Sequence, residues 1–452
     1  MHRFIQFAIA PLVAASLAAC GGGGGALTAT ASTASAAADS GLLSDASAAT
    51  ARLAPGSAAG GTVAVAAGTP AAAPSSPASA AVPGQPGLQA LALPPYAAPG
   101  LQAGASVALG ALDNGGFALA WLLPSTGTPA SLRVQAFDPR GQATGAPLTL
   151  PLDRPLAGAA LGVLGDGSVV AAFTQVQDDT AAATETRSLL LTRWDRNGSP
   201  VVAGQPVRQV TASLMASAGP SGEARVIPTR DGGFALAWQE SAVVPGSTPL
   251  LTAQLQRFDA AGAALGAAQL LDDRLSPARQ PDLSRIAALP GGGVLVPRLF
   301  SALDPSPVLE LDWRPVGSAG RSAAVPANAQ AASAGGLPVG TQLQPLEGGG
   351  YIALRPDGLQ RFGNDGLALG PLSPLAQGGA LVALRGGGFV VIGWDGSAQA
   401  FDAQAQPVGA RLALALPQAP QPPLSSALAS GGVAQAMPGD AQFSLDLLLP
   451  TR

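Results

Sequence analysis

The chain has 452 residues, room for two or three average domains or one large repeat domain, and sets 59 Gly and 42 Pro against 47% hydrophobic residues. That pairing excludes a wholly disordered chain and points to a low-complexity segment joined to a Gly-punctuated β domain. Charged residues are only 11%, the net charge is −4 and Lys is absent, so nothing favours nucleic acid or an anionic membrane surface as partner. The single His is His2 and the single Cys is Cys20, which rules out a disulfide framework within one chain.

The amino terminus reads as an export signal. His2 and Arg3 give a short positive start, and the apolar run Phe4–Leu17 is too short to span a bilayer as a mature helix. It ends in Leu17-Ala18-Ala19-Cys20, which resembles the lipobox of bacterial lipoproteins. The resemblance implies cleavage after residue 19 and acylation of Cys20, with several acyl chains holding a soluble domain on a membrane. Gly21 follows the Cys with no Asp, which favours the outer membrane. An ordinary secretory signal with an incidental Cys is the alternative.

Residues 20–85 are Ala, Gly, Ser, Thr and Pro with few charges, and are expected to form a disordered tether with a coil reach of roughly 45 Å. From residue 86 onward a repeat sets in. Gly115, Gly167, Gly232, Gly292, Gly349, Gly387 and Gly431 mark seven registered copies, 38 to 65 residues apart. Two residues after each comes an apolar start: Phe117, Val169, Phe234, Val294, Tyr351, Phe389 and Val433. In Phe117-Ala-Leu-Ala-Trp121 and Phe234-Ala-Leu-Ala-Trp238, large residues alternate with alanines. This period of two predicts strands covered on both faces.

A second motif follows each strand. Phe137, Trp194, Phe258, Trp313 and Phe362 have Gly four residues on, and Gln135, Gln256, Gln360 and Gln399 stand two before an aromatic. Turns such as Asp138-Pro-Arg-Gly141 lead to a last strand. The first copy therefore predicts four strands: Ser106–Leu112, Phe117–Leu123, Ser131–Phe137 and Ala146–Leu152. Four short strands per copy, seven times over, predict an all-β chain forming a seven-bladed β-propeller over 86–452. The seventh copy lacks its fourth strand, and Leu88–Leu93 has no unit of its own, so the amino-terminal strand is expected to complete the last blade. Pro297 inside a strand and the short fifth and sixth copies keep a six-bladed ring, or an array of small sandwiches, as alternatives. The Gly-Gly-Phe and Gln-Arg-Phe-Asp-x-x-Gly motifs also resemble repeats of bacterial envelope and surface proteins. That likeness implies architecture and compartment only.

Once a signal is removed, no His, Lys or thiol remains. Ser/His/Asp, Cys/His, Schiff-base and His- or Cys-ligated zinc chemistry are thereby excluded. Carboxylate hydrolysis of envelope polysaccharide stays open, with Asp178, Asp179, Glu185, Glu223, Glu240, Asp272, Asp273 and Asp282 as candidates, although solvated loop charge is the plainer reading. Asp138, Asp195, Asp259 and Asp402 read as turn residues rather than calcium ligands, and no metal or cofactor is expected. Trp121, Trp194, Trp238, Trp313 and Trp394 read mainly as core rather than a sugar platform, and Arg225, Arg230, Arg274, Arg279 and Arg285 form a modest basic cluster. The expectation is an outer-membrane lipoprotein whose propeller binds an envelope protein or glycan through the loops Leu122–Ala130, Asp178–Arg187, Ser241–Leu250 and Asp272–Asp282.

Overall fold

A computed structural model describes residues 87–451, apart from scattered single positions and pairs and the stretches 215–217, 243–249, 272–278, 289–293, 301–307, 315–336, 364–366 and 415–422. The chain divides into two units, Met1–Pro77 and Ala78–Arg452, and all the described residues belong to the second. The signal, Cys20 and the tether lie outside the described residues.

The described residues are all-β, with 29 strands and no α-helix among them, and every sheet pairing is antiparallel. Two strands come first, β1 (Leu88–Ala92) and β2 (Tyr96–Ala97). The first sheet holds β3 (Val107–Ala111), β4 (Phe117–Leu123), β5 (Ser131–Phe137) and β6 (Leu148–Pro151). The second holds β7 (Ala160–Val163), β8 (Val169–Asp179), β9 (Thr184–Trp194) and β10 (Pro200–Ser213). The third holds β11 (Ala218–Pro228), β12 (Phe234–Ala242), β13 (Leu250–Phe258) and β14 (Gln269–Leu270). In the fourth are β15 (Arg279–Pro281), β16 (Ala287–Ala288), β17 (Val294–Phe300), β18 (Val308–Arg314) and β19 (Leu337–Pro338). The fifth is β20 (Gln342–Pro345), β21 (Tyr351–Arg355) and β22 (Gly358–Phe362). The sixth is β23 (Gly379–Ala383), β24 (Phe389–Gly393), β25 (Ser397–Phe401) and β26 (Pro407–Ala413). Last come β27 (Leu424–Ala427), β28 (Val433–Gly439) and β29 (Gln442–Pro450).

The registered glycines make the turn between the first and second strand of each sheet. All six that are described, Gly115 to Gly431, have φ between +82° and +96°, a region a Cβ disfavours. The strand that follows buries both faces. Phe117, Leu119 and Trp121 pack against Ala434, Ala436 and Leu445 of the seventh sheet. Ala118, Ala120 and Leu122, on the other face, pack against Ala171 and Phe173 of the second. Opposite the start in five of the sheets stands the aromatic of the third strand. Phe117 stacks on Phe137 at 4.7 Å, Phe234 on Phe258 at 4.9 Å, Tyr351 on Phe362 at 4.7 Å and Phe389 on Phe401 at 5.1 Å. The recurrent Gln ties the third strand to the connection ahead of the fourth. The Nε2 of Gln256 donates to Gly266 O at 2.9 Å, that of Gln360 to Gly370 O at 3.1 Å, and that of Gln399 to Gly409 O at 3.4 Å.

Three features depart from the sequence expectation. Asp178–Arg187, expected as a loop leading into a first strand, is the outer end of the β8–β9 hairpin, in continuous register with Asp178 opposite Glu185. The fifth sheet has three strands, and single bridges at Ser373 and Ala368 stand where a fourth was expected. Pro297 lies inside β17 at a gap in its first-strand ladder: β15 ends opposite Arg298 and β16 begins opposite Leu295, so among the described residues no ladder partner on that side faces a residue without an N–H.

The amino-terminal strand completes the last sheet. β1 pairs with β29 from Leu88 opposite Pro450 to Ala92 opposite Asp446, and β2 pairs with the same strand. It also does a fourth strand's packing. Added methyls on the turn glycines Gly198 and Gly262 would meet Leu150 and Val202, on or beside the fourth strand of the preceding sheet, at 2.9 and 2.8 Å. One on Gly141 would meet Leu93, just after β1, at 2.2 Å.

Candidate functional site

The first strands of successive sheets lie side by side. β3 lies against β7, β7 against β11, β11 against β16, β16 against β20, β20 against β23, β23 against β27, and β27 against β3. Side chains fasten several of these steps. Ser426 Oγ accepts from the Ala111 N–H at 3.0 Å, joining β27 to β3. Ser106 Oγ accepts from Ala159 N–H at 3.1 Å just ahead of β3 and β7. The Gln342 side chain donates to Gly379 O at 2.6 Å and accepts from Leu381 N–H at 3.0 Å, joining β20 to β23. Arg225 Nη1 donates to Leu283 O at 3.1 Å.

Two adjoining cavities lie along these strands. The one beside the Gly turns has about 710 Å³, and its charged lining is Asp113, Arg230, Asp231, Glu347 and Arg385. Arg230 donates to Glu347 at 2.8 Å, spanning from the third sheet to the fifth. Asp231 is held below the ordinary carboxylate range by the Thr229 hydroxyl first, then by the Gly233 N–H and Arg257, against the opposing effect of burial. Asp113 and Arg385 are exposed and have no ion pair among the described residues. The second has about 920 Å³, runs along β20, β23 and β27 and shares Ser426 and Ala427 with the first; Arg225, Gln342, Gln344, Trp394, Ser425 and Ser426 are its polar and aromatic lining.

Trp394 departs from the other tryptophans. Trp121, Trp194 and Trp238 are 1 to 3% exposed, whereas Trp394 is 46% exposed in the short turn between β24 and β25. The Trp313 side chain lies outside the description.

Of the expected carboxylates that are described, Asp178 stands opposite Glu185 across the β8–β9 hairpin, and Glu223 and Glu240 lie on the paired strands β11 and β12. Glu185 pairs with Arg187, while Glu240 binds Arg208 at 2.8 Å and accepts from the Trp238 indole N–H at 3.0 Å. Asp178 and Asp179 are exposed at the hairpin tip, Glu223 lies in β11, and Asp272, Asp273 and Asp282 lie outside the described residues, as do Arg274 and Arg285. The turn aspartates act through their carboxylates. In each of Asp138, Asp195, Asp259 and Asp402, Oδ1 accepts from the N–H groups two and four residues on, at 2.8 to 2.9 Å. Among the described residues no three of His, Cys, Asp or Glu group as a metal site. Sequence reasoning did not single out Asp113, Glu347 or Arg385 as lining one cavity. The available signal was their place, two residues ahead of a registered Gly, where the copies carry charges of both signs.

No protein-family model matches the chain, and no curated protein matches it either. Among solved structures it is similar to a protein of unknown function from Bacteroides caccae, at 11% identity over 54% of this chain and 78% of that one. The TM-score is 0.29, at which the likeness carries no argument for fold or function.

Proposed function

We propose that the chain is a lipoprotein anchored to the outer membrane through Cys20, whose β domain is a closed seven-bladed propeller that binds an envelope protein or glycan without transforming it. The order of the first strands supports the ring: each touches the next and the last touches the first, while β1 fills the strand that the seventh sheet lacks. The observation that carries the binding reading is the pair of adjoining cavities along these strands. Their linings differ from copy to copy while the sheets around them repeat. Ligand sites favour such concave places with a few convergent polar groups. The anchor rests on Leu17-Ala18-Ala19-Cys20 and on the Gly that follows.

The test is intact mass and detergent partitioning of the protein from envelope fractions, beside Cys20→Ala. The expected mature chain begins at Cys20 with diacylglycerol and acyl mass and partitions into detergent, and the variant does neither. A soluble chain cut elsewhere would refute the anchor. The second reading, a carboxylate hydrolase of envelope polysaccharide, draws on unpaired Asp113 in the same cavity as Asp231 and Glu347. Such chemistry needs two carboxylates roughly 5–10 Å apart. It predicts reducing-end release from envelope polysaccharide that Asp113→Asn abolishes; no release from the wild type removes it.

A further inference from the structure

Two units carry a clip that the first unit lacks, and a cleft lies where it is missing. In the second unit Arg193, the residue before the third-strand aromatic, reaches back to the Gly turn of its own sheet. It donates to Asp166 at 3.2 Å and to Ser168 Oγ at 2.9 Å. In the third unit Arg257 pairs in the same way with Asp231. Both arginines are almost fully buried, at 6 and 9% side-chain exposure, so each lays its stem along the apolar wall and its head at the rim. The first unit has Ala136 at the Arg position and Asn114 at the Asp position. Both halves of the clip are missing together.

What stands there is a cleft of about 570 Å³ between the first and second sheets. Its floor is apolar, with Leu112, Ala118, Val134 and Leu148 beside Ala136. At its rim are Asp113, Asn114, Asp166, Arg196 and Asn197, with Asp166 already held by Arg193. Asp113 and Arg196 have no ion pair among the described residues, so the rim offers one free charge of each sign. An apolar floor with a few polar groups, in a volume between roughly 300 and 1,000 Å³, is the form of a small-molecule site. We infer that this cleft binds a small amphipathic molecule, with an apolar body of about the size of a phenyl ring on the floor and an ionic head between Asp113 and Arg196. The inference is independent of the membrane anchor.

The probes are phenethylamine, 3-phenylpropionate and phenylalanine, which share one apolar body and carry a cationic, an anionic and a zwitterionic head. Ligand-observed NMR titration is expected to show saturable binding of at least one of them to the intact mature protein. The double variant Ala136→Arg/Asn114→Asp rebuilds the clip of the second and third units. It is expected to keep the wild-type melting temperature and to weaken that probe at least tenfold. Ala146→Trp, at an exposed position on the lip, blocks the cleft without entering the core and serves if the double variant fails to fold. Asp113→Asn is expected to weaken phenethylamine more than 3-phenylpropionate, and Arg196→Gln the reverse. If none of the three probes binds at millimolar concentration, or if binding persists in the filled variants, the inference is overturned.

Discussion

Ala441 sits at φ +57° in the two-residue turn between β28 and β29, where it follows Asp440 and is exposed. Such turns need positive φ, which Asp-Gly supplies without a Cβ penalty. Ala441→Gly should therefore raise stability by about 0.5–1 kcal/mol, read as a higher urea midpoint at unchanged slope. Ala405, at φ +63° where five other units have Gly, is a contrasting case: its methyl is buried in the cluster between the fifth and sixth sheets. Losing that methyl costs roughly 0.8 kcal/mol, so Ala405→Gly should gain little. Acid sensitivity also has a residue-level source. Asp231 is depressed in the folded state by Thr229, Gly233 and Arg257. Its stabilisation is complete above the unfolded carboxylate value and is lost as pH falls through the folded one. Asp231→Asn should flatten the acid limb of a stability–pH curve; with a half-exposed carboxylate, the change stays within about 1 kcal/mol. Glycines were legible in the sequence because only they take these angles freely. Ala441 was not, since nothing in its neighbours announces the backbone it must adopt.

Within the sheets, the second and third strands of the first copy were legible almost to the residue, because both faces are buried and a cross-strand aromatic pair marks one end. Phe117–Leu123 and Ser131–Phe137 appear at their expected bounds. The outer half of the β8–β9 hairpin was hidden for the opposite reason. From Val176 to Asp179 it is exposed, so no apolar period distinguishes it from loop. Fourth strands were faint too, since an edge strand has one partner and loose composition, and the fifth sheet keeps only two bridges of its own. Core position sets the cost of truncation. Trp238 is 1% exposed between the second and third sheets. Trp238→Ala should cost about 3–5 kcal/mol by calorimetry, part of it through the lost bond to Glu240. Trp394→Ala, at an exposed turn, should leave the melting temperature almost unchanged.

For the whole domain, copy number was readable because two motifs recur at matched offsets. Which turns converge on a common cavity was not. Asp113 and Glu347 are distant in sequence, and only the side-by-side order of the first strands brings them to one mouth. The same order makes the seventh sheet dependent on β1. A chain starting at Pro94 should leave β29 an open edge, lower the melting temperature and self-associate, as measured by light scattering after size exclusion. An unchanged monomer would show that β1 is dispensable. The pairing also bears on how the domain responds to force. Gly87 is where the upstream chain enters, and its carbonyl accepts from the Thr451 N–H at 2.6 Å and hydroxyl at 2.8 Å. Leu88 lies opposite Pro450, so a pull on the upstream chain away from β29 loads one rung at a time through five rungs, as a zip opens. Drag along the chain would open this seam at low force and leave the seven sheets standing, ready to close again when the load falls.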